Sequence, residues 1–453
     1  MKRIITILLF CLSIQMSSQC FQTIDAGYTH SLAIKGDGTL LAWGSNSLRE
    51  LGDNTDISKN VPTQIGTDTW WKISAGYSMS AGIKTNGTLW AWGWNSYGQA
   101  GIGNFNGLVP VITQIGTDTD WQSISCNQTH CAAIKTNGTL WTWGENDNGQ
   151  LGNNTIVNQN SPVQIGTETN WSSVSTGFKN TLALKTNGSL WAWGANLFGE
   201  VGDGTTIQRN TPIQIGTETN WQRISSGGYH SIGIRDNGAL WAWGWNGSGQ
   251  LGDGTTISRN IPTQIGTATN WSLISATLYN TIAIKTDSSL WSWGENNKGQ
   301  LGIGTSGNAI STPTMVSLSG SSNISAGREH ILVKIGNGFL KACGANDSGQ
   351  IGDGTIINKN VLTDVTCTNL AIENFVITKE IKVYPNPVKD ILNLSFETTI
   401  NSASIYNVLG QEVITKVITA KEGTVDVSKL AVGTYFVKIT ADNLVKTMKV
   451  IKE

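Results

Sequence analysis

The dipeptide Trp-Gly returns along this chain every 49 to 51 residues, and this period restricts the possible folds more than any other feature of the sequence. Cys343-Gly344 takes the seventh place, and the six tryptophans are Trp43, Trp92, Trp143, Trp193, Trp243 and Trp293. A fixed period of about 20 to 50 residues is typical of solenoids, propellers and other arrays of one stacked unit. The sequence therefore predicts seven copies of one small structural unit.

Each repeat unit has the pattern of short antiparallel strands. A two-residue turn of Asn-Gly or Asp-Gly type, such as Asn86-Gly87, precedes the Trp-Gly strand in six of the seven units, and such pairs favour β-hairpins. In the strand that follows, Leu89 and Ala91 alternate with tryptophans, so both faces of the strand are apolar. Such a strand has to be covered on both sides, as in a blade between two neighbours. We therefore predict an all-β fold, in which seven four-stranded blades form a seven-bladed β-propeller.

The two ends of the array predict how the ring closes. The first unit begins at Phe21, in register with Trp70, and lacks the Pro-x-Gln-Ile-Gly strand that precedes each later tryptophan. A matching strand follows the seventh unit at 360–365, so we expect the two ends to complete one blade together and leave no exposed edge. Cys20 and Cys367 would then lie close together, and a disulfide between them is our hypothesis for what locks this joint.

The first residues of the chain have the order of a secretory signal. Lys2 and Arg3 precede an apolar run at 4–16 and the small residues 17–18, so we predict a signal peptide over 1–18. The apolar run is shorter than the ~20 residues that a membrane span requires, and we expect no transmembrane segment. Five cysteines remain after the signal, so at least one thiol is unpaired in an oxidising compartment. The pairing of Cys126, Cys131 and Cys343 stays open.

The sequence offers few candidates for chemistry. The four histidines, His30, His130, His230 and His330, share one repeat position, and alternate blades would hold most of them far apart, so we expect structural histidines bonded to the backbone rather than a metal cage. The Gly-Asp-Gly-Thr loops lack the carboxylate spacing of calcium loops and are interpreted as turns. No nucleophile elbow is found, although catalytic triads also arise without one. We therefore expect no enzyme, no cofactor and no metal, and a net charge of −1 gives no basic field for nucleic acid.

The repeats disagree at two positions, and these are the candidate ligand-binding positions. The residue after Trp-Gly is Trp94 in the second unit and Trp245 in the fifth, where other units carry Ser, Ala or Glu. The two residues after a loop glycine add Tyr28, Tyr77, Phe178, Tyr229 and Tyr279. Variable aromatic residues on a rigid frame are suited to recognition, and we predict that these seven bind an extracellular protein or polysaccharide, with both tryptophans exposed. The alternative is repeat drift, with the tryptophans wedged between blades.

The repeats resemble those of the regulator of chromosome condensation superfamily, whose signature is Gly-x-x-His-Ser-Leu-Ala followed by Trp-Gly-x-Asn-x-x-Gly-Gln-Leu-Gly. Residues 27–33, 143–152 and 243–252 carry matches, and the resemblance implies a seven-bladed propeller over 19–367. It implies no single activity, because exchange factors, scaffolds and secreted inhibitors share this fold. We expect a secreted or surface-displayed monomeric binding scaffold. The alternatives are a secreted inhibitor of an enzyme such as a β-lactamase and, by fold analogy alone, a guanine-nucleotide exchange factor.

The period ends after Cys367, where a linker at 368–379 leads to alternating segments typical of a small β-sandwich at 380–453. This tail resembles the type A C-terminal sorting domain of the type IX secretion system. The residues that carry the resemblance include Tyr384, Pro385, Asn386, Pro387, Gly410, Gln411, Gly433 and Tyr435. The resemblance implies that the type IX machinery recognises the tail after the chain reaches the periplasm and delivers the protein to the outer cell surface or the medium. Whether the tail is then cleaved or anchored stays open.

Overall fold

The computed structural model describes residues 21–336, 338–365, 381–441 and 444–453. The chain divides into two compact units, Met1–Thr368 and Asn369–Glu453. The predicted signal peptide, Cys20, Cys367 and the whole predicted linker at 368–379 lie outside the described residues, so the proposed Cys20–Cys367 disulfide stays a prediction. Throughout the described part of the chain, the regular elements are β-strands.

In the first unit, the described residues form seven antiparallel blades, each of four consecutive strands, as the Trp-Gly period predicts. β4 is long enough to serve two blades, because its first half pairs with β3 and its second half with β5. The strands are β1 Thr23–Ala26, β2 His30–Ile34, β3 Thr39–Gly44, β4 Lys59–Ala75, β5 Met79–Lys84, β6 Leu89–Trp94, β7 Leu108–Gln114, β8 Trp121–Cys126, β9 His130–Lys135, β10 Leu140–Gly144, β11 Gln159–Gln164, β12 Trp171–Thr176, β13 Asn180–Lys185, β14 Leu190–Gly194, β15 Arg209–Gln214, β16 Trp221–Ser226, β17 His230–Arg235, β18 Leu240–Gly244, β19 Arg259–Gln264, β20 Trp271–Ala276, β21 Asn280–Lys285, β22 Leu290–Gly294, β23 Ile310–Val316, β24 Ser321–Ala326, β25 His330–Ile335, β26 Phe339–Gly344 and β27 Lys359–Asp364.

The hydrophobic core lies between neighbouring blades. Leu32 and Leu40 of blade 1, for example, pack with Trp70 and Trp92 of blade 2. Trp92 and the other five tryptophans of the Trp-Gly dipeptides are completely buried. The two apolar faces of each Trp-Gly strand are therefore covered, one by the preceding blade and one by the following blade.

The prediction that the two chain ends share one blade is wrong. β27, which contains most of the 360–365 segment, pairs with β26 and completes the seventh blade, while β1 to β4 complete the first. The reason is that the Pro-x-Gln-Ile-Gly strand pairs back onto the Trp-Gly strand before it, so it ends a blade instead of beginning one. Blades 7 and 1 meet as complete blades, through bonds such as Trp43 Nε1 to the Gln350 carbonyl at 2.9 Å.

One hydrogen-bonded junction recurs between neighbouring blades. Between blades 3 and 4, the Gln150 carbonyl oxygen accepts hydrogen bonds from Trp193 Nε1 and from the Thr181 hydroxyl, each at 2.9 Å. Gln150 belongs to the loop after the Trp-Gly strand, and Asn146 Oδ1 holds that loop by accepting from the Leu151 N–H at 3.0 Å. A single carbonyl thus joins the loop of one blade to two strands of the next.

The four histidines complete these junctions. His130 Nε2 lies 2.9 Å from the Thr181 hydroxyl, and because that hydroxyl already donates to Gln150, the imidazole must donate through Nε2. The same bond, also 2.9 Å long, joins His30 to Ser80, His230 to Thr281 and His330 to Ser31. The expected bond to the backbone is therefore replaced by one to a hydroxyl in the next blade.

A second belt of hydrogen bonds joins the innermost strands. In six of the seven blades, a serine of the inner strand accepts a backbone N–H of the next blade, as in Cys126 N to Ser74 Oγ at 2.8 Å and Ala26 N to Ser325 Oγ at 3.0 Å. In blade 1, Asp25 occupies the serine position and accepts from Ala75 N at 2.8 Å. Burial raises the pKa of Asp25 to about 6. Among the described residues, all seven junctions carry this bond, which shows that the ring is closed.

In the second unit, the described residues form one five-stranded antiparallel sheet that curls around its own core. Bulges bend β29, and a parallel bridge joins Val388 to Lys452 of the last strand, in the manner of the predicted sandwich. Asn386 of the Tyr-Pro-Asn-Pro segment holds the same edge, because its Oδ1 accepts from Ile451 N at 2.9 Å. Gly410 and Gln411 lie at the turn between β29 and β30, and Tyr435 donates to the Ala431 carbonyl. The strands are β28 Lys382–Tyr384, β29 Ile391–Asn407, β30 Glu412–Asp426, β31 Gly433–Ala441 and β32 Leu444–Lys452.

The buried histidines predict that acid destabilises the propeller. Burial lowers the pKa of each of the four imidazoles from 6.5 to about 3, so the folded state binds fewer protons than the unfolded state. The stabilisation is complete above pH 6.5 and is lost as the pH falls towards 3, by about 2 kcal/mol per histidine between pH 7 and pH 5. We expect His130→Asn to reduce this pH dependence, measured by denaturant unfolding at both pH values.

Asparagine is the matched replacement, since Asn180 and Asn280 occupy the same position in blades 4 and 6. His230→Asn should reproduce the effect, because His230 has the same burial and the same type of partner. An unchanged loss of stability from pH 7 to pH 5 in both variants would show that these imidazoles do not govern the acid response.

Candidate functional site: the variable face

The two variable positions of each blade lie side by side at one end of the ring. The strand that begins at the histidine position pairs with the Trp-Gly strand, so the loop before the first strand lies beside the residue that follows the second. Trp94 N donates to the Ser78 carbonyl at 2.9 Å, and Trp245 N donates to the Tyr229 carbonyl at 2.8 Å. The other five blades have the equivalent bond. We call this end the variable face; it carries residues 28–29, 45, 77–78, 94, 128–129, 145, 178–179, 195, 228–229, 245, 278–279, 295, 328–329 and 345.

Blades 1 and 2 bring four aromatic side chains together on this face, which we call cluster A. The ring centroids of Tyr28 and Tyr77 are 4.0 Å apart, and the Trp94 ring lies 6.0 Å from Tyr77 and 5.3 Å from Tyr97. Trp94 Nε1 donates to the Ser96 hydroxyl at 2.8 Å. Three of the predicted ligand-binding residues therefore form one contiguous aromatic surface.

Blades 4 to 6 form a second group, cluster B, from Phe178, Phe198, Tyr229, Trp245 and Tyr279. The Trp245 ring makes an edge contact with Tyr279 at 5.1 Å, and Tyr229 lies 5.3 Å from Phe178 and stacks on Tyr279 at 6.2 Å. The indole of Trp245 lies over Gly247, where a Cβ atom would come within 2.5 Å of the ring. The four remaining predicted residues therefore also lie together.

Trp94 and Trp245 are half-buried, so the prediction that they are exposed is wrong. Each packs against the aromatic neighbours contributed by adjacent loops, which cover part of the indole. They lie on the face and not in the blade-to-blade core, where Trp92 and Trp243 are fully buried. Their role in binding stays a prediction.

Tyr97 and Phe198 belong to the two clusters but were not among the predicted ligand-binding residues. Both occupy the second residue after the asparagine of Trp-Gly-x-Asn, and this position varies as much as the two that were chosen: Leu48, Tyr97, Asn148, Phe198, Ser248, Lys298 and Ser348. A third position of disagreement was therefore visible in the repeats.

Charged residues separate the two clusters in blades 3 and 4. Lys179 Nζ lies 3.0 Å from Asp147 and 3.5 Å from Glu145, and the Thr129 hydroxyl also donates to the Glu145 carboxylate.

A disulfide joins Cys126 to Cys131 on either side of the blade 3 loop, which answers the open question of their pairing, while Cys343 is a free, buried thiol. This sector of the face is thus polar and cross-linked.

The carboxylates of the Gly-Asp-Gly-Thr loops are engaged within their own blades. Asp203 Oδ1 accepts from Asn196 Nδ2 at 3.1 Å and from the Thr205 N–H at 3.0 Å, while Oδ2 pairs with Arg209. Within the described ranges, no group of three or more His, Cys, Asp or Glu residues is placed to hold a metal ion. The interpretation of these loops as turns agrees with their hydrogen bonding.

A small cavity opens at the centre of the variable face, on the ring axis. Its volume is about 50 Å³, and each blade contributes its first variable loop residue to the wall. These residues are Tyr28, Tyr77, Gln128, Phe178, Gly228, Leu278 and Arg328. The cavity therefore links clusters A and B to the polar blades between them.

Comparison with known proteins agrees with this architecture. A model of the RCC1-like domain matches residues 110–393, and models of the regulator of chromosome condensation repeat match 21–48, 37–83 and 72–99. Human WBSCR16 has a TM-score of 0.63 and 22% identity over 69% of this chain and 86% of its own. Yeast RCC1 (Prp20), solved with Kap60, has a TM-score of 0.65 and 17% identity over 81% and 88%. Both similarities concern the fold.

A curated relative matches only part of the chain. The ultraviolet-B receptor UVR8 of Arabidopsis thaliana is 29% identical over 134 residues, which is 28% of this chain and 30% of UVR8. No helix in the described ranges is long and apolar enough to cross a membrane.

The tail has its own match, to a model of the secretion system C-terminal sorting domain over residues 382–453. This domain indicates export by the type IX system to the cell surface or the medium. Since the RCC1-like model covers more than half of the sequence, the chain belongs to the RCC1-like domain family and is a propeller with a type IX sorting tail.

Proposed function

We propose that this protein is an exported binding propeller that recognises an extracellular protein or polysaccharide through its variable face. The observation that carries the proposal is the assembly of clusters A and B from the loops of neighbouring blades, at positions where the repeats differ. Residues that only maintain the ring would be similar in every blade, as the tryptophans of Trp-Gly nearly are. Aromatic residues that differ from blade to blade instead give the face an asymmetric surface.

The packing within each cluster prepares these rings for binding. Aromatic side chains bury large areas and have few rotatable bonds, so they lose little entropy on contact with a partner. Partial burial against neighbours restricts the rings further before a ligand arrives. Leu197, 72% exposed on the loop beside Phe198, extends the apolar surface next to cluster B.

The opposite end of the ring also carries half-buried tryptophans, but these are satisfied within the blade. The Lys185 ammonium lies 3.7 Å above the Trp191 ring and 2.6 Å from the Glu168 carboxylate. The same clamp recurs around Lys84, Lys135 and Arg235. Aromatic rings covered by a paired cation offer little free surface. Among the described rings of clusters A and B only Tyr28 lies under a cation, Arg328, which favours the variable face as the binding end.

The proposal predicts that Trp94→Ala combined with Trp245→Ala weakens ligand capture by at least about 1 kcal/mol, the scale of an interface hot spot. The ligand is first identified by affinity capture from the native culture medium and then titrated against the wild-type and variant proteins. The melting temperature should change little, because both indoles lie on the face and outside the core between blades.

Trp191→Ala is the control, since it removes a half-buried tryptophan from the opposite end of the ring. It should leave ligand capture unchanged. If the double variant instead loses about 3 to 5 kcal/mol of stability per tryptophan, as for fully buried rings, the two residues are packing elements and the binding face must be abandoned.

The sorting tail predicts a separate outcome for export. Deleting residues 380–453 removes the whole second sheet, so the propeller should fold in the periplasm and remain there. The measurement is the distribution of the protein between periplasm and medium, with a thermal melt of the periplasmic fraction as the folding control. Recovery of the truncated chain from the medium at the normal yield would contradict this role of the tail.

A further inference from the structure

Two polar side chains line the central cavity without a hydrogen-bond partner among the described residues. Arg328 makes no side-chain hydrogen bond there; its guanidinium lies 4.3 Å above the Tyr28 ring, and its Nε is buried. The Glu329 carboxylate is 3.9 Å from Nε, which is beyond hydrogen-bond range. Gln128, three blades away, has a buried and unpartnered Oε1.

Other polar groups beside the cavity do have partners. Asn127 Nδ2 donates to the Thr176 carbonyl at 3.1 Å, and the Thr277 hydroxyl bonds to Asn280. A buried polar group without a partner is costly and is normally satisfied by protein, water or ligand. The Arg328 guanidinium is therefore the donor that a bound acceptor would satisfy, whereas Gln128 Oε1 is itself an acceptor and requires a donor from water or from the ligand.

The residues that line the central cavity favour an anionic ligand. Arg328 is the one charged residue of the sixteen that line the cavity among the described residues, and its largest neighbours on the wall are Tyr28, Tyr77 and Phe178. An arginine between aromatic and aliphatic groups meets less screening than in water, and its planar N–H donors match a carboxylate. Two carboxylates of the described residues act on this guanidinium, Glu329 through a long contact of 3.9 Å and Glu295, and neither forms a hydrogen bond with it.

The size of the cavity limits what part of a ligand enters. A volume of about 50 Å³ holds roughly four waters at the 10–15 Å³ that each requires, which fits the end of an acidic side chain but not a sugar ring. The occupant that agrees with both size and charge is therefore an aspartate or glutamate of a protein partner.

We propose that the central cavity receives a carboxylate from an acidic side chain of the partner protein, and that the Arg328 guanidinium binds it. The aromatic clusters would hold the surrounding partner surface, so this inference rests on the proposed function. It adds that the bound partner is a protein and that one of its acidic residues lies on the ring axis.

Propionate tests the site directly, since it reproduces the end of a glutamate side chain, and propionamide is its neutral isostere. Saturation-transfer NMR with the full chain, at constant ionic strength, should show millimolar binding of propionate and none of propionamide. Arg328→Gln should weaken propionate binding by roughly tenfold or more, because it removes the charged donor. Arg223→Gln, which removes an exposed arginine of β16, should have no effect.

Equal binding of propionate and propionamide, no saturable binding, or an equal loss in both arginine variants would overturn the proposal. A melt of Arg328→Gln checks that the ring is intact, and Arg328→Lys should retain part of the affinity. The titration does not need the partner protein. A failed titration with tryptophan-dependent capture intact would remove only the carboxylate site, and the reverse result would remove only the proposed binding face.

Discussion

The ring depends on a backbone carbonyl that accepts two hydrogen bonds from the next blade. At the Gln150 carbonyl, the Trp193 indole and the Thr181 hydroxyl both donate to the same oxygen, and the His130 imidazole donates to that hydroxyl. Each group is buried, so none of them can exchange its partner for water. Loss of one of these side chains leaves the hydrogen-bonding groups of the others unsatisfied. This explains why the motif Trp-Gly-x-Asn-x-x-Gly-Gln-Leu-Gly varies so little among blades while neighbouring positions vary widely.

The junction between blades 6 and 7 is an exception. The Gln300 carbonyl faces Cys343 in place of a tryptophan, with Sγ at 3.8 Å, and Ile331 occupies the position of the hydroxyl residue. The inner belt persists there through Ala326 N and Ser275 Oγ at 3.1 Å. Apolar packing around Cys343 therefore has a larger share in this junction than in the others. Arg328 extends from the same seventh blade into the cavity.

The fold could be predicted from the sequence because the period, the hairpin turns and the two apolar faces of the Trp-Gly strand all require the same architecture. The closure of the ring could not be predicted, because the repeat pattern allows the 360–365 segment to complete either the first or the seventh blade. Only the geometry of the hairpin decides between these two pairings. Likewise, the repeat position of His130 predicted a structural role but not its hydrogen-bond partner. That partner, Thr181, belongs to the next blade, and contacts between blades leave no pattern within a single repeat.

The candidate site was predictable in part for a similar reason. Disagreement among the repeats predicted seven aromatic residues that lie in two clusters on one face, but it did not predict Tyr97, although the position of Tyr97 varies as well. The cavity on the axis was predictable only in part: Tyr28, Tyr77 and Phe178 of its wall were predicted as binding residues, but Gln128 and Arg328 were not. Its polar members, Gln128 and Arg328, are separated by 200 residues and become neighbours of one space only when the ring closes.

The belt on the inner strands has a consequence for a protein that works outside the cell. Every junction between described blades, including the one between the first and the last, is held by hydrogen bonds from side chain to backbone. Linkers such as 166–169 are exposed and therefore accessible to proteases. A single cut there would divide the chain but leave each blade bonded on both sides, so a nicked ring would keep its shape and its variable face.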